Sequence, residues 1–265
     1  MVEKSVPTGL VLAVILAFGS SFTTSIHAAE AEGWSLRLTP YLWLPGIKGT
    51  SGSNGGAQSD FDLGFGSLID NLDLVFMGSF EARKSKWSLA ADFAYLKASA
   101  DSAASVPVPI APPLSGSVKV DADADATAAL LTVLGGYNFR DTARGRVDVI
   151  AGARYFDVEL AFGLGVNAGG VTAATDLSPS ISGVDAVIGV KGHLALGGKW
   201  YLPYHAEIGA GKSDFTGQAL TGLGYRFGWG DLILQYRYIH WEFSADSPID
   251  AIRLGGPLLA ATFRF

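Results

Sequence analysis

The stretch Leu259-Ala260-Ala261-Thr262-Phe263-Arg264-Phe265 closes the sequence. In an extended strand successive side chains point to opposite faces. Leu259, Ala261, Phe263 and Phe265 therefore share one face, and Ala260, Thr262 and Arg264 share the other. A soluble fold would leave such an apolar outer face in water. Hydrocarbon would solvate it, which is the pattern of a strand in a membrane-spanning barrel.

The same two-residue period recurs upstream. Leu72, Leu74, Phe76, Gly78, Phe80 and Ala82 oppose Asp73, Ser79 and Glu81, and Trp87, Leu89, Ala91, Phe93 and Tyr95 oppose Ser88 and Asp92. Trp200, Leu202, Tyr204, Ala206 and Ile208 oppose Tyr201, His205 and Glu207, while Leu232, Leu234, Tyr236 and Tyr238 oppose Asp231, Gln235 and Arg237. Strands are expected near 34–45, 72–83, 87–98, 118–139, 147–158, 183–195, 200–211, 215–227, 231–241 and 253–265. Short connections at 84–86, 140–146, 197–199 and 228–230 alternate with 46–71, 99–117, 159–182, 212–214 and 242–252. Short periplasmic turns alternating with longer external loops define an all-β, antiparallel, up-and-down transmembrane β-barrel. The count is ten strands, with eight or twelve as alternatives because 212–214 is short for an external loop. The run from Asp121 to Val133 changes from acidic to apolar on one face, so a bulge or break is expected near 126–130.

With 49% hydrophobic and 17% charged residues, the chain is apolar enough for a large core or a membrane. After residue 30 no apolar run reaches the roughly 20 residues a spanning helix needs. Gly9 to Phe18, preceded by Lys4 and followed by His27-Ala28-Ala29, reads as a secretory signal peptide. Cleavage is expected after Ala28, Ala29 or Ala31, which divides the chain into a signal peptide (1–29) and a barrel (30–265). There is no cysteine, hence no disulfide framework or thiolate metal site. A net charge of −6 without a basic stripe argues against a nucleic-acid partner.

Aromatics fall at strand ends. Trp34, Trp87, Trp200 and Trp229 are expected at the periplasmic interface, and Tyr95, Tyr155 and Trp241 near the external one. The 46–71 segment reads as an extension of the first strand, a flexible tip, and a return arm with a helix-like turn near 66–70. The four prolines between Val106 and Pro113 suggest an extended loop rather than a sheet ladder. Residues 161–180, rich in Gly and Ala, are weakly specified.

Parity turns Glu81, Asp92, Asp148, Asp185 and Glu207 inward, against Arg154, Lys191, Arg226 and Arg237. Such charges must be paired or hydrated. They form either a salt-bridged filling or a narrow hydrated path that selects small solutes. His193 and His205 are also inward, but the ligands are too few for a metal site, and the helical His spacing of zinc enzymes is missing. Asp121, Asp123 and Asp125 share a face about 6–7 Å apart, which reads as a solvated strand extension above the membrane. The residues supply no catalytic, cofactor or metal set.

The terminal strand resembles the C-terminal signal strand of Gram-negative outer-membrane barrels, in which a final Phe is expected. The segments 39–46 (Thr-Pro-Tyr-Leu-Trp-Leu-Pro-Gly), 152–155 (Gly-Ala-Arg-Tyr) and 256–265 resemble small proteobacterial outer-membrane barrels related in architecture to opacity-type surface proteins. The resemblance implies an outer-membrane location, contact with lipid and lipopolysaccharide, and a barrel-assembly machinery that reads Phe263 and Phe265. It implies no substrate. The expected role is non-enzymatic: structural, surface-interacting, or passage of small solutes as a narrow porin. The alternative is a lipid-modifying enzyme, because 237–242 (Arg-Tyr-Ile-His-Trp-Glu) looks similar to the catalytic region of lipid A deacylase barrels. That family has Ser two residues after its His. Here Glu242 takes that place and Ser244 lies two further on, about 6–7 Å away. A soluble secreted β-sandwich or lipocalin-like carrier would need polar outward faces, which these strands lack.

Phe265→Ala is expected to impair, and deletion of the last strand to abolish, the heat-modifiable, membrane-inserted form on semi-native electrophoresis of membrane fractions.

Overall fold

The computed structural model describes residues 33–51, 59–63, 72–111, 114–168, 171–178, 180–244, 247 and 249–265. The expected signal peptide and the helix-like turn near 66–70 lie outside the described residues. Thirteen strands are described: β1 (Trp34–Trp43), β2 (Gly46–Ser51), β3 (Ser59–Leu63), β4 (Leu72–Lys84), β5 (Trp87–Ala111), β6 (Leu114–Thr142), β7 (Gly145–Ala168), β8 (Val171–Leu177), β9 (Ser180–Gly197), β10 (Trp200–Gly211), β11 (Phe215–Arg226), β12 (Gly230–Glu242) and β13 (Ala251–Arg264).

Ten of them form a closed antiparallel ring in the order β1-β4-β5-β6-β7-β9-β10-β11-β12-β13, with β13 returning to β1. Closure leaves no edge in the ring, so lipid-facing backbone groups are satisfied within the chain. The seam runs from Arg37↔Arg264 to Trp43↔Leu258, and Leu36 and Phe265 exchange both backbone hydrogen bonds at 2.9 Å. The 212–214 connection is a tight turn between ring neighbours β10 and β11, and the count is ten. At the opposite end the hairpins are equally tight. Ser85 and Gly198 adopt φ of +53° and +57°, the left-handed conformation that two-residue hairpin turns require.

Outside the ring, β2 continues β1 along β13 after a break at Leu44-Pro45, and β3 returns against β2. The expected extension and return arm are therefore present. β8 pairs the upper part of β7, so the weakly specified 161–180 is in fact mostly strand.

Two further readings are corrected. The ladder from Ala98↔Ala126 to Ala94↔Leu130 is continuous, with no bulge at 126–130. Instead, one face of β6 passes from water into lipid. Asp123 and Asp125 are exposed above, and Leu131 and Val133 are exposed below. The proline-rich segment is not a loop: Pro107 pairs with Ser117 and Pro109 with Ser115. Above Ala98 the described partner of β5 is β6 alone. Proline is accommodated on such an edge, where an alternate N–H has no ladder bond to make.

The outward surface is apolar. Leu74, Phe76, Leu89, Ile188, Ile208, Leu234 and Leu259 are exposed on successive strands. Trp34, Trp87, Trp200 and Trp229 ring the lower border as expected, joined by Tyr137, Phe139 and Phe227. Neighbouring rings touch at 4.9 Å (Trp87–Tyr137), 4.7 Å (Trp200–Tyr225) and 5.5 Å (Trp229–Phe263). At the upper border Tyr95 and Tyr155 lie below outward Lys97, Asp157 and Glu159. The steps from Trp87 to Lys97, at about 3.3 Å each and a tilt near 40°, give an apolar band about 25 Å tall.

Leu234→Arg, placed within this band, is expected to destabilise the inserted barrel by about 2–4 kcal/mol. Denaturant titration in liposomes measures it, and Asp125→Ala, above the band, leaves the midpoint unchanged.

Candidate functional site in the barrel interior

Inward parity on each strand gathers polar side chains around the barrel axis in three tiers. Nearest the short turns, Asp231 pairs with Arg264 and accepts from Tyr201 Oη at 3.0 Å. Arg226 stacks on the Tyr201 ring at 4.9 Å. One tier up, Asp148 accepts from Arg83 at 2.6 Å, Arg146 at 3.0 Å and Asn138 at 2.7 Å. Beside it Glu81 receives Arg83 at 3.0 Å, Arg37 at 3.7 Å and the ammonium of Lys191.

The third tier is the most deeply desolvated. Arg154 and Glu207 form an ion pair with side chains 0% and 1% exposed. Arg154 also donates to Thr132 and Thr216, both at 3.3 Å. His205 Nε2 meets the other oxygen of Glu207 at 2.7 Å. Arg237 donates to Gln218 (2.9 Å), Tyr41 (3.1 Å) and Asp92 (2.9 Å), which spends its fork on three strands at once. Asp185 is saturated by the backbone N–H and hydroxyl of Ser213, at 2.9 and 2.8 Å, which tucks the 212–214 turn inward. Beside Asp92, Lys191, His205, Gln218 and Arg237 lies a cavity of about 150 Å³, room for several waters.

Above this network the interior changes character. Trp43, Ile47, Phe156, Leu160, Ile239, Trp241, Ile252 and Leu254 pack as one buried cluster. Phe243 and Ile249, from the connection after β12, complete it. Phe156 lies 5.6 Å from Trp241 and 5.7 Å from Phe243. The two tiers meet through cation–π contacts: Arg237 faces Trp43 at 4.9 Å and Arg154 faces Trp241 at 5.9 Å. Trp241, expected in the external aromatic belt, is instead 1% exposed inside the barrel. Its odd-numbered parity on β12, shared with Arg237 and Ile239, already pointed inward.

The nine charged residues singled out from the sequence, and His205, face the interior and are distributed over the three tiers. The named interior charges left out Arg37, Arg83 and Arg146, and also Asp231 and Arg264, which the alternation already put on the polar faces of their strands. The near balance of five acids against four bases is corrected by these additions: cations outnumber carboxylates, most strongly near the short turns. His193 and His205 do not converge; His193 packs edge-on against Tyr201 at 5.7 Å, and His205 on Glu207. On the outer face His240 Nε2 contacts Glu242 at 2.9 Å. Among the described residues no hydrogen bond joins Ser244 to His240.

No family model and no curated protein matches this chain. Among solved structures it is similar to the translocator domain of the autotransporter NalP from Neisseria meningitidis, at 16% identity over 96% of this chain and 97% of that one, with TM-score 0.37. It is also similar to Ail, the attachment invasion locus protein of Yersinia pestis, solved with the heparin analogue sucrose octasulfate, at 12% identity over 88% and 99% with TM-score 0.34. Neisserial surface protein A shares 15% identity over 88% and 97%, with TM-score 0.27. The closed antiparallel ten-strand ring rests on its own ladder rather than on these likenesses.

Glu207→Gln leaves Arg154 buried without a counter-charge and is expected to destabilise the barrel by about 3–5 kcal/mol, whereas Arg154→Met with Glu207→Leu restores stability to within about 1 kcal/mol of the parent. Denaturant midpoints of the refolded variants in liposomes check the pair.

Proposed function

We propose that this protein is a non-enzymatic outer-membrane barrel with an occluded interior, which anchors a β-sheet on the external side in a structural or surface-interaction role. The observation that carries the reading is the apolar cluster closing the upper interior, seated on cation–π contacts above an ion-pair network. A porin needs a continuous hydrated path. Here the polar cavity meets the apolar cluster at Leu258 and Ala260, and the indole and phenyl groups of that cluster pack beyond it.

On the external side β5 and β6 continue in register from Ser99↔Asp125 to Pro109↔Ser115 and, after a shift, pair again at Ala111↔Leu114, joined by β7 and β8. The thirteen steps from Ala98 to Ala111 amount to about 40 Å of strand. An element of that length above the lipid, on a barrel without a lumen path, supports presentation rather than transport. The partners that follow are outer-membrane lipid and lipopolysaccharide around the band, and an assembly machinery reading Phe263 and Phe265 after export by residues 1–29.

The deacylase-like alternative needs a Ser–His pair. His240 is engaged by Glu242 instead, and Ser244 lies one strand repeat beyond.

In planar bilayers the refolded, inserted protein is expected to stay silent. Steady discrete openings altered by Arg237→Gln would overturn the occluded reading and make this a narrow porin.

A further inference from the structure

The end of the barrel bearing the short turns holds more cations than its carboxylates can neutralise. Asp148 is shared by Arg83 and Arg146, and Glu81 by Arg37, Arg83 and Lys191. Asp231 is held by Arg264 and Tyr201. Among the described residues Arg226 forms no ion pair; its guanidinium is held flat against Tyr201. Arg37 pairs across the seam with Arg264, and its contact with Glu81 is a long 3.7 Å. His193 lies at the same end, opposite Arg146 in the β7–β9 register and edge-on against Tyr201, on whose ring Arg226 rests.

Two further observations point to an occupant. Arg37 and Arg264 face inward, yet their side chains are 39% and 43% exposed, so the mouth they line is open to water. Arg83 is only 7% exposed, and its Nη1, a buried donor, has no partner. A buried guanidinium donor without an acceptor is costly, which leaves Nη1 available to an incoming acceptor. Arginine forks match the paired oxygens of phosphate and carboxylate groups, and forks already held by other contacts lose little freedom on binding.

We propose that this mouth is a binding site for a soluble multivalent oxyanion, recognised by Arg83, Arg37 and Arg226. The rim of Trp34, Trp87, Trp200 and Trp229 lies at the outer wall, at headgroup depth, and keeps lipid outside the ring. The occupant is therefore a solute rather than a bilayer headgroup. That the mouth opens to the periplasm rests on the outer-membrane reading above; the binding itself does not.

The test is isothermal titration of the refolded full chain in a zwitterionic detergent at low ionic strength, with pyrophosphate and citrate as separate probes. Saturable binding is expected for at least one, and the preferred probe identifies phosphate or carboxylate as the group recognised. Arg37→Gln and Arg226→Gln are each expected to weaken it at least tenfold, Arg226→Lys to restore part of it, and Lys212→Gln, in the 212–214 turn at the other end, to leave it unchanged. Arg37→Gln also loosens Glu81. Should it lower the folded fraction, Arg226→Gln decides, because Arg226 has no carboxylate to release. Absence of saturable binding by both probes, unchanged affinity in Arg226→Gln, or equal loss in Lys212→Gln overturns the site. Heat-modifiability is read on the same samples. A barrel that folds without binding refutes the site alone, whereas a chain that binds without a heat-modifiable form refutes the barrel reading instead.

Discussion

Closure of the β1–β13 seam is the constraint on which the rest depends. Hydrocarbon offers backbone N–H and C=O groups no partner, so an open edge within the bilayer would leave a row of them unsatisfied at several kcal/mol each. The reciprocal bonds between Leu36 and Phe265, and the register from Arg37↔Arg264 upward, bring the first and last strands together. Once that register is set, the parity of every strand follows. Leu and aromatic side chains are turned to lipid, and the arginines, aspartates and glutamates to the axis. A slip of one residue at the seam would exchange the two sets on the slipped strand.

The interior then has to accommodate its own charges. Arg154 and Glu207 are removed from water almost completely, and such a pair offsets its desolvation only when the remaining donors and acceptors are also met. Thr132, Thr216 and His205 supply those contacts from three different strands. Arg237 does the same for β1, β5 and β11. The network thus ties opposite walls of the barrel through its middle. The apolar cluster above it removes the need for further polar partners near the external end, and the two layers are joined where guanidinium groups lie against Trp43 and Trp241. Toward the short turns there is no such cover; Arg37 and Arg264 there are partly exposed, and the cations are in excess.

Much of this was legible in single strands. The alternation in 259–265, 231–238 and 87–95 determines which side chains meet lipid, whatever the partner strands are, because the pleat repeats every two residues. It also places Glu81, Asp92, Arg154, Glu207 and Arg237 inside. The misreadings have a common cause. The run through Asp125 to Leu131 looked broken because one face was assumed to have one environment, whereas a strand crossing a membrane border has two. The prolines at 107 and 109 looked incompatible with a ladder because whether β5 is an edge depends on where β4 stops. Trp241 looked like a belt residue because its height on β12 resembled that of the interfacial aromatics, although its parity was inward.

The sequence by itself determined the class: alternation, aromatic borders and short turns specify a transmembrane barrel, since these are local consequences of the pleat and of lipid as solvent. Only the tertiary structure decided which charges meet. Arg83 reaches Asp148 across 65 positions and Lys191 reaches Glu81 across 110. Those pairings follow from the order and stagger of ten strands around a ring, and no strand carries that information alone. The same holds for the closed upper interior. Phe156, Trp241 and Ile249 are unremarkable apolar residues one by one, and they block the axis because the curvature of the ring points them at one another.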